Sequence, residues 1–237
     1  MTRITAHSGC EGTKPGSMEG IRAAVASGAD TMELDLRWYG GEVLLSHDPI
    51  RAERQTEYVK LQDVLAQMAG TTVRFNCDLK EEAAFAPALA CFRAFEMEDR
   101  MEFTGMYPLA QPDADACYQV YLNVENIPGV TESVPLRASA AAQIAVWFEQ
   151  ARTVRHTLAG LNIEIVQLTE ESLAVFRAHD IALSCWTVDA PEDLAFCLRA
   201  GVANITTNEV RAAFAARQAM HSNPANRLDG QKLHTHG

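Results

Sequence analysis

Positive charge is scarce in this sequence. Its 20 Lys and Arg stand against 31 Asp and Glu, giving a formal net charge of -11 at pH 7 and a pI near 5.1. Broad electrostatic attraction to nucleic acid or to an anionic membrane is therefore excluded, and a phosphate-bearing substrate would need locally placed cations or a metal. Long apolar runs are also missing, so no stretch reads as a membrane span. The opening "MTRITAHSG" has no basic segment followed by an apolar one, and no signal peptide is expected. Cys10, Cys77, Cys91, Cys117, Cys185 and Cys197 form no C-x-x-C pair and do not cluster with histidines. That argues against a zinc knuckle or a disulfide framework and for a reducing, cytoplasmic setting with mostly buried thiols. Neither G-x-G-x-x-G nor a P-loop follows any strand-like run, which removes the usual support for nucleotide binding. The chain carries no internal repeat and no low-complexity segment.

What remains is the length and composition of one globular domain: 237 residues, 48% hydrophobic and 22% charged. Eight strand candidates recur, at 3–7, 31–36, 72–79, 101–105, 118–124, 161–166, 181–188 and 203–207, with segments of helical spacing between them. Gly28, Gly70, Gly160 and Gly201 stand where helices would end. The alternation predicts an α/β fold, a (β/α)8 TIM barrel more than an open doubly wound sheet, over residues 1–220. The segment 42–49 is a strand-like excursion after the second strand, 125–137 a longer loop, and 221–237 a polar C-terminal tail.

Barrels of this kind place their catalytic groups at the C-terminal ends of strands. His7, the pair Glu33 and Asp35, Asp78 with Lys80, and Trp186 all fall at such ends and would converge on one mouth. Glu33 and Asp35, two apart on a strand, share a face. Adjacent carboxylates raise each other's pKa unless a cation lies between them, and hard oxygen donors suit Mg²⁺ or Ca²⁺. Asp78 would be the third ligand. A lone E-x-D on a strand nevertheless reads more readily as a solvated face, and a lone histidine as a structural residue. Two histidines near the carboxylates, His7 and His47, suit an acid and base pair. Asp48 reads as a turn residue before Pro49, and Lys80 equally as a phosphate ligand or a solvated strand end. His156, His179, His221, His234 and His236 carry no assigned role, and nothing near Cys10 suggests an activated thiolate.

"AHSG", "GADTMELDLRW", "GEVLLSHDP", "FNCDLKE", "LSCWTVD" and "GVANITTNE" resemble, in order and spacing, the glycerophosphodiester phosphodiesterase family up to about residue 213. The resemblance implies a TIM-barrel hydrolase that uses a divalent metal, Mg²⁺ or Ca²⁺, to cleave a small-molecule phosphodiester such as glycerophosphocholine to glycerol phosphate and an alcohol. It implies His7 and His47 as catalytic residues, Glu33, Asp35 and Asp78 as metal ligands, Lys80 as the phosphate ligand and Trp186 as a wall of the substrate pocket. The chain departs from the family at "HSG" and "PGS", where Ser8 and Gly16 replace the arginine and glutamate of H-R-G and P-E-N, and at Asp78, which stands for a commoner glutamate. Losing a bidentate guanidinium is not conservative. Arg37, two residues past Asp35, is the expected substitute, with Lys14 as a second candidate. Two other readings stay open: a weakened barrel that binds or senses a phosphodiester, and a lysophospholipase D-like enzyme acting on lipids. The sequence also leaves a homo-oligomer open.

Overall fold

The computed structural model describes residues 1–110, 116–130 and 135–222. Among them the elements run β1 (Arg3–Ala6), α1 (Met18–Ala26), β2 (Thr31–Tyr39), β3 (Glu42–Leu45), α2 (Leu61–Met68), β4 (Arg74–Leu79), α3 (Phe85–Ala94) and β5 (Met101–Gly105). They continue with β6 (Gln119–Asn123), α4 (Ala138–Val154), β7 (Leu158–Glu164), α5 (Glu170–Ala178), β8 (Ala182–Trp186), α6 (Pro191–Ala200), β9 (Asn204–Thr207) and α7 (Val210–Ser222).

Eight of these strands are parallel in the order β1-β9-β8-β7-β6-β5-β4-β2, and pairing of β1 with β2 closes the ring. The predicted TIM barrel is present. The excursion is β3, which pairs antiparallel with the end of β2 outside the ring, from Leu36 opposite Leu45 to Tyr39 opposite Glu42. Its turn is Gly40-Gly41, both with positive φ (59° and 84°), the conformation that a two-residue hairpin of this twist requires.

The pleat divides the strand residues between two environments. One set, such as Met32, Leu34 and Leu36 of β2 or Phe75, Cys77 and Leu79 of β4, joins the hydrophobic core with residues of the helices. The alternate set is polar yet also buried, and it pairs with itself across strands. Thr5 Oγ1 donates to Asn204 Oδ1 at 2.7 Å, Asn204 Nδ2 to Ser184 Oγ at 3.0 Å, and Thr104 Oγ1 to Asn76 Oδ1 at 2.9 Å. Barrel interiors are usually filled by branched aliphatic residues. Here the interior is a hydrogen-bonded polar stack, and the apolar core lies in the shell between strands and helices.

Helix boundaries follow their caps. Ser17 accepts from Gly20 N at the start of α1, Thr169 and Ser172 form a capping box on α5, and α6 runs from Pro191 to a left-handed Gly201. Gly160 does not end a helix as expected. The helix α4 stops at Val154, and Gly160 lies inside β7, where an added Cβ would collide with the Ala182 carbonyl. The glycine is there for close strand approach. In the predicted loop 125–137, residues 124–126 form a short 3-10 turn, whereas 131–134 lie outside the described residues. Of the predicted tail, 223–237 likewise lies outside them, and α7 reaches Ser222.

Phe103 has no exposed surface, and its ring packs 5.0 Å from Phe85 and 5.1 Å from Tyr118. Phe103→Ala should therefore cost about 3–5 kcal/mol. A lower denaturant midpoint at unchanged slope would register it; an unshifted midpoint would contradict this packing.

Candidate active site

The C-terminal ends of the barrel strands open into a cavity of about 440 Å³. His7, Glu33, His47, Asp78, Lys80 and Trp186 line it. Six of the eight residues singled out in the sequence thus meet at one place, and a seventh, Asp35, lies beneath them in contact with Lys80. The eighth, Arg37, is not among the lining residues. Its Nε and Nη2 donate to the His47 carbonyl at 3.2 and 2.7 Å, and its Nη1 to Glu81 Oε2 at 3.3 Å. Lys14 is exposed and also absent from the lining.

Register explains the carboxylate cluster. The parallel pairing of β2 with β4 sets Asp35 directly beside Asp78, and Glu33 lies one pleat below Asp35. The solvated-face reading of the E-x-D pair does not hold: the Glu33 and Asp35 side chains are only 8% and 4% exposed, because a strand in a closed barrel is buried on both faces. A carboxylate oxygen of each of Glu33, Asp35 and Asp78 lies within 4.8 Å of the others. Burial first, then the charges of Asp78 and Asp35, push the Glu33 carboxyl well above the ordinary carboxylate range. Lys80 Nζ reaches Asp35 Oδ1 at 2.9 Å and Asp78 Oδ2 at 2.5 Å. Burial works against its charge, but the two aspartates outweigh it and hold the ammonium above the usual lysine range. Three hard oxygen donors crowded this closely, with one lysine between two of them, suit a divalent cation of the Mg²⁺ or Ca²⁺ kind.

His7 is fixed from behind. Asp189 accepts from Asn208 N at 2.8 Å and from Asn208 Nδ2 at 2.8 Å, which turns Asn208 Oδ1 toward His7 Nδ1 at 3.1 Å. An oxygen there requires a proton on Nδ1. In the neutral ring, Nε2 is then the bare nitrogen, 3.8 Å from Glu33 Oε1 and on the cavity side. His47, by contrast, is 69% exposed at the rim, and its ring reaches Asp48 Oδ1 at 3.2 Å. Asp48 also serves the turn, since its carbonyl accepts from Ser46 Oγ at 2.8 Å.

The two departures from the family motif touch each other. Ser8 is buried, and its Oγ accepts from Gly16 N at 3.1 Å. Gly16 has φ +64°, and a Cβ there would come within 3.0 Å of the Leu45 carbonyl. Ser8 does not line the cavity, and among the described residues Lys80 is the one lysine or arginine that does.

Sequence reasoning missed the opposite wall: Thr104, Gly105, Asn123, Glu125, Asn126 and Asn162. The available signal was the asparagine or threonine at alternate positions of otherwise apolar strands, as in "FTG", "LNVEN" and "LNIEI". Gly105 N donates to Asn123 Oδ1 at 3.0 Å, and its carbonyl accepts from Asn126 Nδ2 at 2.6 Å. Gly105 has φ +71°, and any Cβ would meet the Asp78 carboxylate and the Leu79 carbonyl. Asn162 satisfies its amide when its oxygen accepts from Trp186 Nε1 at 3.2 Å and its nitrogen donates to Ser184 Oγ at 2.9 Å, which orients the indole.

Two outcomes are expected. A cation held by Glu33 competes with protonation of its raised carboxyl, so Ca²⁺ or Mg²⁺ affinity should rise with pH, and calorimetry in buffers of different ionisation enthalpy should detect proton release on binding. Affinity independent of pH would contradict the raised pKa. Gly105→Ala should weaken cation binding by about 10–100-fold by displacing Asp78; wild-type affinity would show that the loop yields without moving the ligand.

No family model matches the chain, and no curated protein does. Solved structures do. A protein of Agrobacterium tumefaciens provisionally named a glycerophosphoryl diester phosphodiesterase is 18% identical, with TM-score 0.75, over 94% of this chain and 100% of that one. An Oleispira antarctica phosphodiesterase in complex with the product sn-glycerol-3-phosphate is 16% identical, with TM-score 0.70, over 92% and 97%. A second A. tumefaciens glycerophosphodiester phosphodiesterase is 13% identical, with TM-score 0.67, over 92% and 100%. The chain has the TIM-barrel fold of the glycerophosphodiester phosphodiesterases along more than nine tenths of its length.

Proposed function

We propose that this protein is a metal-dependent phosphodiesterase that hydrolyses glycerophosphodiesters, of which glycerophosphocholine is one type, to glycerol phosphate and an alcohol. One observation carries the reading: a single cavity gathers Glu33, Asp78, a lysine and two histidines at the C-terminal mouth of the barrel, with Asp35, the third member of the acidic triad, directly beneath. The motif resemblance and the Oleispira antarctica structure with its glycerol phosphate support it.

Glu33, Asp35 and Asp78 would hold the cation, which supplies Lewis-acid stabilisation of charge on the phosphoryl oxygens. The residues of the chain do the rest. His7, with its proton held on Nδ1 by Asn208, offers Nε2 as the base that takes a proton from the attacking water or from the substrate's own glycerol hydroxyl. His47, open to solvent at the rim, gives a proton to the departing alkoxide, and the two histidines exchange roles if a cyclic phosphate is then opened by water. Lys80 supplies fixed positive charge beside the phosphate, and Trp186 closes one side of the cavity.

The walls favour small polar diesters over lipids. Among the described lining residues only Leu79, Met106 and Trp186 carry apolar side chains, and a more apolar cavity of about 510 Å³, between Ile127 and Trp147, shares no described residue with them. Among the described residues no helix is long and apolar enough to cross a membrane. Dispersed thiols are the support for placing the reaction in a reducing cytoplasm.

The test is turnover of glycerophosphodiesters with Mg²⁺ or Ca²⁺, coupled to detection of glycerol phosphate. We expect EDTA to abolish it, and His7→Ala and His47→Ala each to lower kcat by about 10²–10⁴-fold. Tight binding without hydrolysis would favour the sensing barrel, and full activity in both histidine variants would overturn the mechanism.

A further inference from the structure

His47 stands on a loop that has little to hold it. Its ring reaches Asp48, itself 90% exposed, and an exposed pair of this kind contributes little rigidity. Ser46 N donates to the Asp35 carbonyl at 3.0 Å and fixes the start of the loop. The hold on His47 itself is Arg37, whose Nε and Nη2 converge on the His47 carbonyl at 3.2 and 2.7 Å.

Arg37 is in turn anchored. Its side chain is 16% exposed, and Nη1 lies 3.3 Å from Glu81 Oε2, while Glu81 Oε1 accepts from Trp38 N at 2.8 Å. Glu81 directly follows Lys80. The contacts therefore form a brace from the loop after β4, through the end of β2, to the loop that carries His47. A guanidinium suits that task because its donors lie in one rigid plane, so a carbonyl and a carboxylate can be bound at fixed relative positions.

We propose that Arg37 and Glu81 are positioning residues that set where His47 stands at the mouth of the cavity. This rests on the phosphodiesterase reading, in which His47 exchanges a proton with the substrate. It gives Arg37 a task other than that of the phosphate ligand missing at Ser8, because its donors are already engaged outside the cavity. Proton transfer tolerates little misplacement, and an error of about 1 Å can cost on the order of 10²-fold in rate.

The experiment combines kinetics with a signal that needs no turnover. Arg37→Ala should lower kcat by about 10–100-fold while KM and inhibition by glycerol phosphate change by less than about threefold. Arg37→Lys, which can still reach the carbonyl with one donor, should recover part of the loss. Glu81→Ala should act in the same direction and add little to Arg37→Ala. NMR of the histidine rings should show the His47 signals shifted or broadened in Arg37→Ala, with those of His7 unchanged. A rise in KM and in the glycerol phosphate inhibition constant at unchanged kcat, with His47 signals unmoved, would overturn the brace and make Arg37 a phosphate ligand. If the wild-type protein turns over no diester, the phosphodiesterase reading fails, and the ring signals alone decide whether Arg37 positions His47.

Discussion

Glu33, Asp35 and Asp78 bring three carboxylate oxygens within 4.8 Å of one another, two of them on buried side chains and the third at the cavity wall, and the mouth of the barrel is organised around that repulsion. Two responses are visible. Lys80 lies against both aspartates, and the Glu33 carboxyl is pushed toward its neutral form. Neither removes the cost of gathering the charges. A divalent cation is a partner that would match three hard oxygens. The polar interior of the barrel belongs to the same design. Asn76 lies beneath Asp78 in the stack, Thr104 stands beside it in register and donates to Asn76, and Gly105 leaves the space that the Asp78 carboxylate occupies.

The two histidines are held in opposite ways, which suits the different roles proposed for them. His7 is fixed by a side-chain relay from Asp189 through Asn208 that decides which nitrogen carries the proton. His47 is governed through its backbone, by contacts on its carbonyl, while its ring stays open to solvent. A base benefits from a locked tautomer. A group that returns a proton to the solvent side benefits from access to water.

Much of this was legible in the residues. All eight barrel strands were located within a few positions, because alternating apolar residues and β-branched runs report a pleat bound to a core. His7, Glu33, Asp35, Asp78, Lys80 and Trp186 were placed at one mouth by their positions at strand ends, and His47 by following the strand-like excursion; these side chains do meet there, while the roles proposed for them came from the motif resemblance. What failed to show was set by long-range geometry. Met32, Leu34 and Leu36 announced one buried face of β2, but only ring closure buries the other, so the fate of Glu33 and Asp35 was not local information. The partners of Arg37 come from loops after β3 and β4, and those of His7 lie some two hundred residues away in sequence. Gly160 looked like a helix end because glycine serves close strand approach and helix termination equally well.

Ser8 and Gly16 contact each other directly outside the cavity, and among the described residues four acidic groups in or under the cavity walls face one lysine. Under the proposed function, an anionic substrate in this cavity would rely on a bound cation for most of its charge compensation. The most direct test is anomalous diffraction from crystals soaked in Mn²⁺. A peak about 2.0–2.6 Å from carboxylate oxygens of Glu33, Asp35 and Asp78 is predicted. No peak at millimolar Mn²⁺, or one held by other residues, would contradict the account.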